Sequence, residues 1–517
     1  MQPEDSSLVR RSPFSIYDLL PTLTFFILGL VIGLGLATAA SLFYRHSHGS
    51  GGILLLAALF VVPTFVFWHW AVLRQALQGL KVLISNLYWY HWVWLLLFLS
   101  MQAWRKRDIS QIKSEPLDTF AAARAIMVAI AGSYLLFRMF MRKTDFLSSW
   151  LRGIPGMLMV FVLAVLSSMF WSIYWQWTLY KGCEYAVDVA FLAALLVAIK
   201  NVDEFKNLFD WTMLWLGILL FNCWIWAAID PADALSHNLE EGGVATGPIA
   251  LQLAGVFPTV SCNRVGEYSA IVAAVALARL LPVKGVQRVI STWYVWVFLG
   301  ALITMVFAQT RSATGPFLIA AVLIFWFSGR FKHGVAIVLL GTTLMLATGA
   351  GGVFIDYMRR GQTNAEMESL TGRIQWWAMA WKKYTDAPLT GFGAYAAGRF
   401  LVMGSFGNNI ATMHSDWVET LVGCSFWGIF PLVAVLGVAW WYLLRFMFDA
   451  NRTPEERQLC LEAIVVFTIV SFRTVFSTDL TWHSPLTFWL PLGYAEYLRR
   501  RYATARSFLT APAYIGR

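Results

Sequence analysis

The chain has 517 residues, of which 58% are hydrophobic and only 13% are charged, and its mean hydropathy is +0.62. A soluble protein of this length needs far more charge to cover its surface, so the composition excludes a soluble globular protein and predicts an integral membrane protein. The formal net charge of +10 does not indicate nucleic acid binding, because the lysines and arginines that orient a membrane protein account for it.

Apolar runs of about 20 residues recur along the chain, and each is long enough to cross the hydrocarbon core as a helix. We therefore predict an all-α polytopic membrane protein with about 12–14 transmembrane helices and one large outward loop. Only two interruptions are long, at residues 230–265 and 355–412. The candidate spans lie near residues 20–43, 52–73, 82–101, 117–137, 155–170, 176–198, 208–229, 266–282, 290–308, 315–328, 334–354, 413–446, 459–476 and 484–498.

The distribution of Lys and Arg predicts which loops face the cytoplasm. Four basic segments are assigned to the cytoplasm, namely "LPVKGVQR", "GRFKHG", "RFMFDANRTPEER" and "YLRRRYATAR". Both termini are then cytoplasmic, and both long interruptions face outward together with the turns "QTRSATGP" and "STDLTWHS". The basic segment "WRKRDISQIK" disagrees with this count, since it falls on the outward side.

The second long interruption contains the pattern of a surface helix. Thr371 can cap it, and Pro388 and Gly391 can stop it. Its apolar stripe would lie in the outer leaflet, at Leu370, Ile374, Trp377 and Trp381. Arg373 lies off this stripe and faces water or a ligand, whereas Lys382 and Lys383 are expected to solvate the helix.

Isolated arginines on the outward side run against the positive-inside bias, so each is expected to bind an anion. Arg311 stands alone in a tight turn, and Arg264 begins a span with Glu267 one turn later. His414 opens the span that follows the long loop. Three arginines, including Arg373, and one histidine on one outer face suit phosphate, which guanidinium binds bidentately.

Further charges lie within the spans. Lys181, Glu184 and Asp188 share one helix face in "YKGCEYAVD", either as a self-neutralising group or, through Lys181, as part of the site. Arg473 and Asp479 bracket the outer end of another span and are further candidates of the same kind.

The familiar nucleotide and hydrolase motifs are missing where they could function, and the five cysteines form no CxxC pair. The first outward loop, "YRHSHGSGG", has no acidic pair to hold a metal. We therefore expect no metal and no cofactor.

Several of these stretches, in this order, resemble the O-antigen ligase and polymerase superfamily. "LTGRIQWWAMAWKKYTDAPLTGFGAY" followed by "MHSDWVETLVGCSFWG" is similar to the family core, where a (T/S)GR, a Trp, a P-x-x-G-x-G and a His followed by Asn or Ser recur. "QTRSATG" is similar to its Ser-Arg turn, and "CNRVGEYSA" stands where the family often has an Asn-rich segment. Ser425 stands where the ligase pattern has its first glycine, so ligase and polymerase both stay open.

The resemblance extends from about residue 255 to 440 and divides the chain into three parts. These are N-terminal transmembrane helices at 1–254, a ligase/polymerase-like core at 255–440, and C-terminal helices with a cytoplasmic tail at 441–517. It implies a fold like that of the C-type glycosyltransferases, in the bacterial inner membrane with the active site facing the periplasm. The implied reaction moves a glycan from an undecaprenyl diphosphate carrier to an acceptor hydroxyl, which is lipid A core for a ligase and another lipid-linked glycan for a polymerase.

Such a reaction needs cations for the departing diphosphate. Arg311 and Arg373 are the expected clamps, with Arg264 and Lys181 behind them. The acceptor hydroxyl needs a proton acceptor, and His414 suits that role because its ordinary pKa is near working pH.

His414 could instead bind phosphate as imidazolium, in which case Glu267, Asp416 or Glu419 is the candidate base. Two other function classes also fit. One is a transporter or flippase of lipid-linked glycans, and the other is a structural membrane subunit that binds a partner through the long loop.

Overall fold

The computed structural model describes residues 70–104, 111, 114–115, 118–141, 149–235, 251–286, 292–359, 362–364, 368–369, 372–406, 412–449, 451–483 and 486–510. All of them belong to one of the chain's two compact units, Trp70–Arg517. The span predicted near 20–43 and most of the one near 52–73 lie outside the described residues, as do Leu370 and Thr371.

The described residues form helices and no strands, which confirms the predicted all-α polytopic membrane class. A short 3-10 turn at Ser168–Trp171 and a π-helix at Ala397–Val402 interrupt the regular pattern. The α-helices in chain order are α1 Trp70–Ser85, α2 Trp89–Met101, α3 Thr119–Met141, α4 Gly153–Ser167, α5 Trp175–Ala198, α6 Val202–Ile229, α7 Pro231–Leu235, α8 Cys262–Leu280, α9 Thr292–Ala308, α10 Arg311–Phe327, α11 Phe331–Thr348, α12 Ala350–Arg359, α13 Arg373–Asp386, α14 Met403–Ser405, α15 Asp416–Met447, α16 Pro454–Arg473 and α17 Leu486–Thr510.

Five of these stretches are long and apolar enough to cross a membrane by themselves, within the part of the chain that is described. They are Thr119–Met141, Gly153–Trp171, Val202–Ile229, Phe331–Thr348 and Asp416–Met447. The span predicted near 82–101 is broken, because Ala76–Ser85 and Trp89–Met101 are bent by 110° relative to each other. The total of 12–14 crossings stays a prediction.

The core lies around α8 and α16, which are buried along nearly their whole lengths. α8 carries the small-residue run "AIVAAVALA", and small side chains let neighbouring backbones approach closely in membrane proteins. α8 packs against α9, α10 and α16, while α15 packs against α4, α16 and α17. Residues near the ends of these helices are therefore brought together.

Helix α15 is interrupted, and the loop that follows α13 docks into the interruption. Ser425 has φ 60° and ψ −157°, so the helix breaks there. The loop amides of Phe392 and Gly393 donate to the carbonyls of Val422 and Gly423, at 3.0 and 2.9 Å. The "PLTGFG" stretch predicted to end the surface helix thus also joins that helix to α15.

Gly391 is required at this junction. Its φ is +69°, and a Cβ atom there would lie 2.6 Å from the carbonyl oxygen of Gly423. Two tryptophan indoles complete the junction, because Trp171 and Trp427 donate to the carbonyls of Thr390 and Leu389. The loop backbone is held from both sides.

Helix α13 covers the turn that precedes α15. Trp376 is buried, whereas Ile374 and Trp381 are 47% and 59% exposed, as their predicted position on an outer stripe requires. Trp377 departs from that position, because it is partly buried against the cluster that contains Trp376 and its indole donates to the carbonyl of Met413 at 3.0 Å. Helical spacing identifies a face but does not decide which polar atom the neighbouring turn offers.

Candidate functional site

Four of the predicted site residues lie at helix N-termini. Arg311 and Arg373 are the first residues of α10 and α13, Arg264 is in the first turn of α8, and His414 lies just before α15. The N-terminal end of a helix carries partial positive charge and unpaired N–H groups, so it favours an anion. The arginine side chains and the N-terminal ends of the helices therefore both favour the binding of an anion.

Two arginines and two carboxylates form a buried ring of ion pairs. Nη1 of Arg264 lies 2.8 Å from Oδ1 of Asp479 and 3.3 Å from Oε2 of Glu267. Arg473 contacts the same two acids, at 3.0 Å from Oδ2 of Asp479 and 3.3 Å from Oε2 of Glu267. Only Arg264 reaches the surface, at 23% exposed, whereas the other three are at most 1% exposed.

Arg473 also links this ring to neighbouring elements. It donates to the hydroxyl of Ser312 at 3.0 Å, directly after Arg311, and to the hydroxyl of Ser477 at 3.1 Å. The sequence interpretation made Arg473 and Asp479 only further candidates. The available signal was a charged pair at the outer end of an apolar span, and the structure places that pair at the centre of the cluster.

His414 lies in a strained turn beside two cations. Its φ is +53°, a left-handed conformation that is uncommon outside glycine. Its ring centroid is 6.1 Å from that of Trp376, one turn after Arg373. Burial lowers the pKa of His414 to about 3; the positive charges of Arg373 and Arg473 act in the same direction, and Asp479 opposes them. This environment favours the neutral imidazole. The two roles considered for His414, proton acceptor and phosphate-binding imidazolium, both stay predictions.

The two acidic residues in the first turn of α15 accept hydrogen bonds from backbone amides. Asp416 is fully buried, and its oxygens accept bonds from the amides of Asp479, Leu480 and Thr481 at 2.8–3.0 Å and from the Thr481 hydroxyl at 2.6 Å. Glu419 accepts the amide of Met413 at 2.7 Å through Oε1. Its Oε2 is buried and has no hydrogen-bond partner among the described residues. A substrate-binding or base role stays a prediction for both.

Arg311 joins α10 to the region after α12. Its guanidinium donates to the carbonyl of Met358 at 3.3 Å and to Oε1 of Gln362 at 2.7 Å. Through Ser312, the next residue, the same helix end contacts Arg473. Arg311 therefore lies at the border between the buried ring and the long interruption that begins near residue 355.

Lys181 belongs to a second buried group. Its Nζ lies 2.6 Å from Oε2 of Glu184 and faces the rings of Trp177 and Trp482, at 5.3 and 5.6 Å. This is the self-neutralising pair that the sequence left open as one alternative, and diphosphate binding by Lys181 stays a prediction.

Asp188, the third acid on that helix face, pairs with the ring of His483 at 2.8 Å. Nε2 of His483 in turn lies 2.8 Å from the Ser100 hydroxyl. His483 was not recognised from the sequence, because a single histidine in a short loop carries no local pattern.

A match to a known protein family covers part of this site. Residues 296–436 match the model of the O-antigen ligase family. The matched region includes Arg311, Arg373 and His414, whereas Arg264 and Arg473 lie outside it. No curated protein matches the chain. Residues 296–436 are thus similar to the O-antigen ligase family, and the resemblance to the O-antigen ligase and polymerase superfamily is confirmed over that region.

Proposed function

We propose that this protein is a glycosyltransferase that moves a glycan from an undecaprenyl diphosphate carrier to an acceptor hydroxyl. The proposed site faces the periplasm from the bacterial inner membrane, and both termini are cytoplasmic. One observation carries this proposal: within the matched region, the ring of His414 packs beside that of Trp376 on the helix that Arg373 begins, and the positive charges of Arg373 and Arg473 both act on the imidazole.

The reaction requires a proton acceptor and a place for growing negative charge. The acceptor oxygen attacks the anomeric carbon, the bond from that carbon to the diphosphate oxygen breaks, and undecaprenyl diphosphate leaves with the bonding electrons. The proton of the acceptor hydroxyl passes to the neutral imidazole of His414. As the diphosphate binds, its negative charge raises the pKa of His414 and prepares it to take this proton.

The arginines bind and orient the leaving group. Arg373 lies one turn before the Trp376 ring that contacts His414, so it can clamp the diphosphate next to the proton acceptor. Arg311 approaches from the N-terminus of α10, and Arg264 is the partly exposed member of the buried ring. Cations fixed before the reaction need no reorganisation during it, and each good contact contributes about 3–4 kcal/mol to lowering the barrier.

Positive charge from arginine also makes a metal-independent reaction chemically consistent, since the guanidiniums take the place of a bound cation at the diphosphate. The acceptor distinguishes the two forms of the proposal. A ligase would use lipid A core, and a polymerase would use another lipid-linked glycan.

The test uses the purified protein in nanodiscs with an undecaprenyl diphosphate-linked oligosaccharide, with and without EDTA. Release of the carrier and the size of the glycan product are followed for wild type and His414→Ala. A growing ladder indicates a polymerase, and transfer only when lipid A core is added indicates a ligase. An intact donor with both acceptors, together with movement of the donor across proteoliposomes, would overturn the transferase proposal in favour of a flippase.

A further inference from the structure

The short segment between α16 and α17, residues 477–483, is held by a carboxylate of another helix. Asp416 in α15 accepts four hydrogen bonds from it. Oδ2 takes the amides of Asp479 and Leu480, and Oδ1 takes the amide and hydroxyl of Thr481. Both oxygens are thus fully used by charge-assisted bonds in a fully buried position, where such bonds are strong.

The rest of the segment is anchored equally well. Tyr185 donates to the carbonyl of Leu480 at 3.0 Å, and Tyr395 donates to the carbonyl of Thr481. At the far end, His483 bonds to Asp188 and Ser100. Of these anchors, only Asp416 lies on the helix that His414 precedes.

This segment carries Asp479, which pairs with Arg264 and Arg473 at once. Asp479 therefore contributes to the position of both guanidiniums, together with Glu267. Because Asp416 follows His414 by two residues, the turn that leads into α15 places the imidazole next to the carboxylate that holds the segment. Among the anchors of the segment, Asp416 is therefore the one that links the position of the cations to that of the proton acceptor.

We propose that Asp416 is a positioning residue of this transferase: through residues 479–481 it holds Asp479, and thereby Arg264 and Arg473, in register with His414. The inference rests on the proposed function for its consequence in the reaction, but the anchoring can be measured without the reaction. It also distinguishes Asp416 from a base, since both of its oxygens are occupied by the segment.

The experiment compares wild type with Asp416→Asn, Thr481→Val and the control Glu462→Gln. Glu462 is a buried acid on α16 that is paired with Arg279, away from this segment. Hydrogen exchange of the peptide containing residues 477–483 reports the anchoring. Turnover is normalised to the number of donor-binding sites, so that misfolded protein does not count.

For Asp416→Asn we expect faster exchange confined to this peptide, because the asparagine nitrogen cannot accept a hydrogen bond. We also expect a fall in kcat of about 100-fold with little change in donor KM, as for a displacement of about 1 Å in a catalytic arrangement. Thr481→Val removes one of the four bonds, so both effects should be smaller and in the same direction. It also serves as the test if Asp416→Asn does not fold. Glu462→Gln should leave the exchange of this peptide and the normalised kcat unchanged.

Each other outcome contradicts part of the argument. A lower kcat with unchanged exchange would mean that Asp416 acts on the substrate directly, and unchanged exchange with unchanged kcat would remove any role; both overturn the inference. Faster exchange throughout the protein, with normalised kcat intact, would make Asp416 merely structural. A further outcome is that wild type shows no glycan transfer while hydrogen exchange of the 477–483 peptide still rises in Asp416→Asn. In that case the anchoring holds and the proposed function fails.

Discussion

The hydroxyl of Ser425 donates a hydrogen bond to the carbonyl oxygen of Pro388, from a backbone conformation that only glycine adopts freely. This contact fastens the loop after α13 to the break in α15. Ser425, which departs from the ligase pattern by standing where that pattern has a glycine, thus combines a glycine-like backbone conformation with a hydrogen bond to the loop.

Replacing Ser425 tests this compensation. Ser425→Ala keeps the strained backbone and loses the hydrogen bond, which contributes about 0.5–1.5 kcal/mol to the free energy of unfolding. Ser425→Gly also loses the bond but relieves strain of about 1–3 kcal/mol. We therefore expect the glycine variant to melt at least as high as wild type and the alanine variant to melt lower, by thermal unfolding in detergent. The reverse order would contradict the strain at this position.

Removal of the Arg373 guanidinium should reduce transfer strongly. For Arg373→Ala we expect a fall in kcat of about 10²–10³-fold, as for the loss of one preorganised contact to developing charge. The matched control is Lys382→Ala, which removes an exposed cation from the same helix. Equal effects of both variants in the transfer assay would mean that Arg373 acts only through the general charge of α13.

His414 is expected to act in proton transfer, so its replacement should lower turnover without weakening the binding of the donor. For His414→Gln we expect about 10²–10⁴-fold lower kcat, since the amide retains polarity but cannot take the proton. Donor binding, measured separately with the labelled lipid, should remain close to that of wild type. A variant that binds the donor much more weakly but turns over normally at saturating donor would assign His414 to binding instead.

The lowered pKa of His414 predicts how stability depends on pH. The folded protein holds this pKa at about 3, below the ordinary value of 6.5, so the unfolded chain binds more protons between those values. The free energy of unfolding should therefore decrease as pH falls from about 6.5 towards 3. Wild type should lose more thermal stability than His414→Gln between about pH 7.5 and about pH 5. Equal losses would show that His414 does not contribute.

The ring of ion pairs should depend more on Arg473 than on Arg264. Arg473→Met leaves Asp479 and Glu267 buried with one cation instead of two, which is expected to cost about 3–5 kcal/mol. Arg264→Met should cost less, because water reaches that position. Adding Asp479→Asn to Arg473→Met should recover part of the lost stability, measured by thermal unfolding. A further loss of stability would show that the uncompensated buried charge does not cause the destabilisation.

The sequence by itself determined the class of this protein, because composition and run length reflect the solvent that each segment faces. It also located the five described helices that are long and apolar enough to cross a membrane, since run length and hydropathy are local properties. The extent of α13 followed from its spacing and from the Pro and Gly that end it. The order of the motifs around Arg311, Arg373 and His414 was enough to recognise the resemblance that the family match at residues 296–436 confirms.

Only the tertiary structure decided which charged side chains contact each other. Helical periodicity is a local property, whereas the partner of a buried charge depends on which helix ends are packed together. Asp416 looked like a candidate base in the sequence, yet its oxygens are used by a segment more than 60 residues away. Arg473 and Asp479 became central for the same reason, since burial in a membrane protein requires each charge to find a partner and packing alone determines which one.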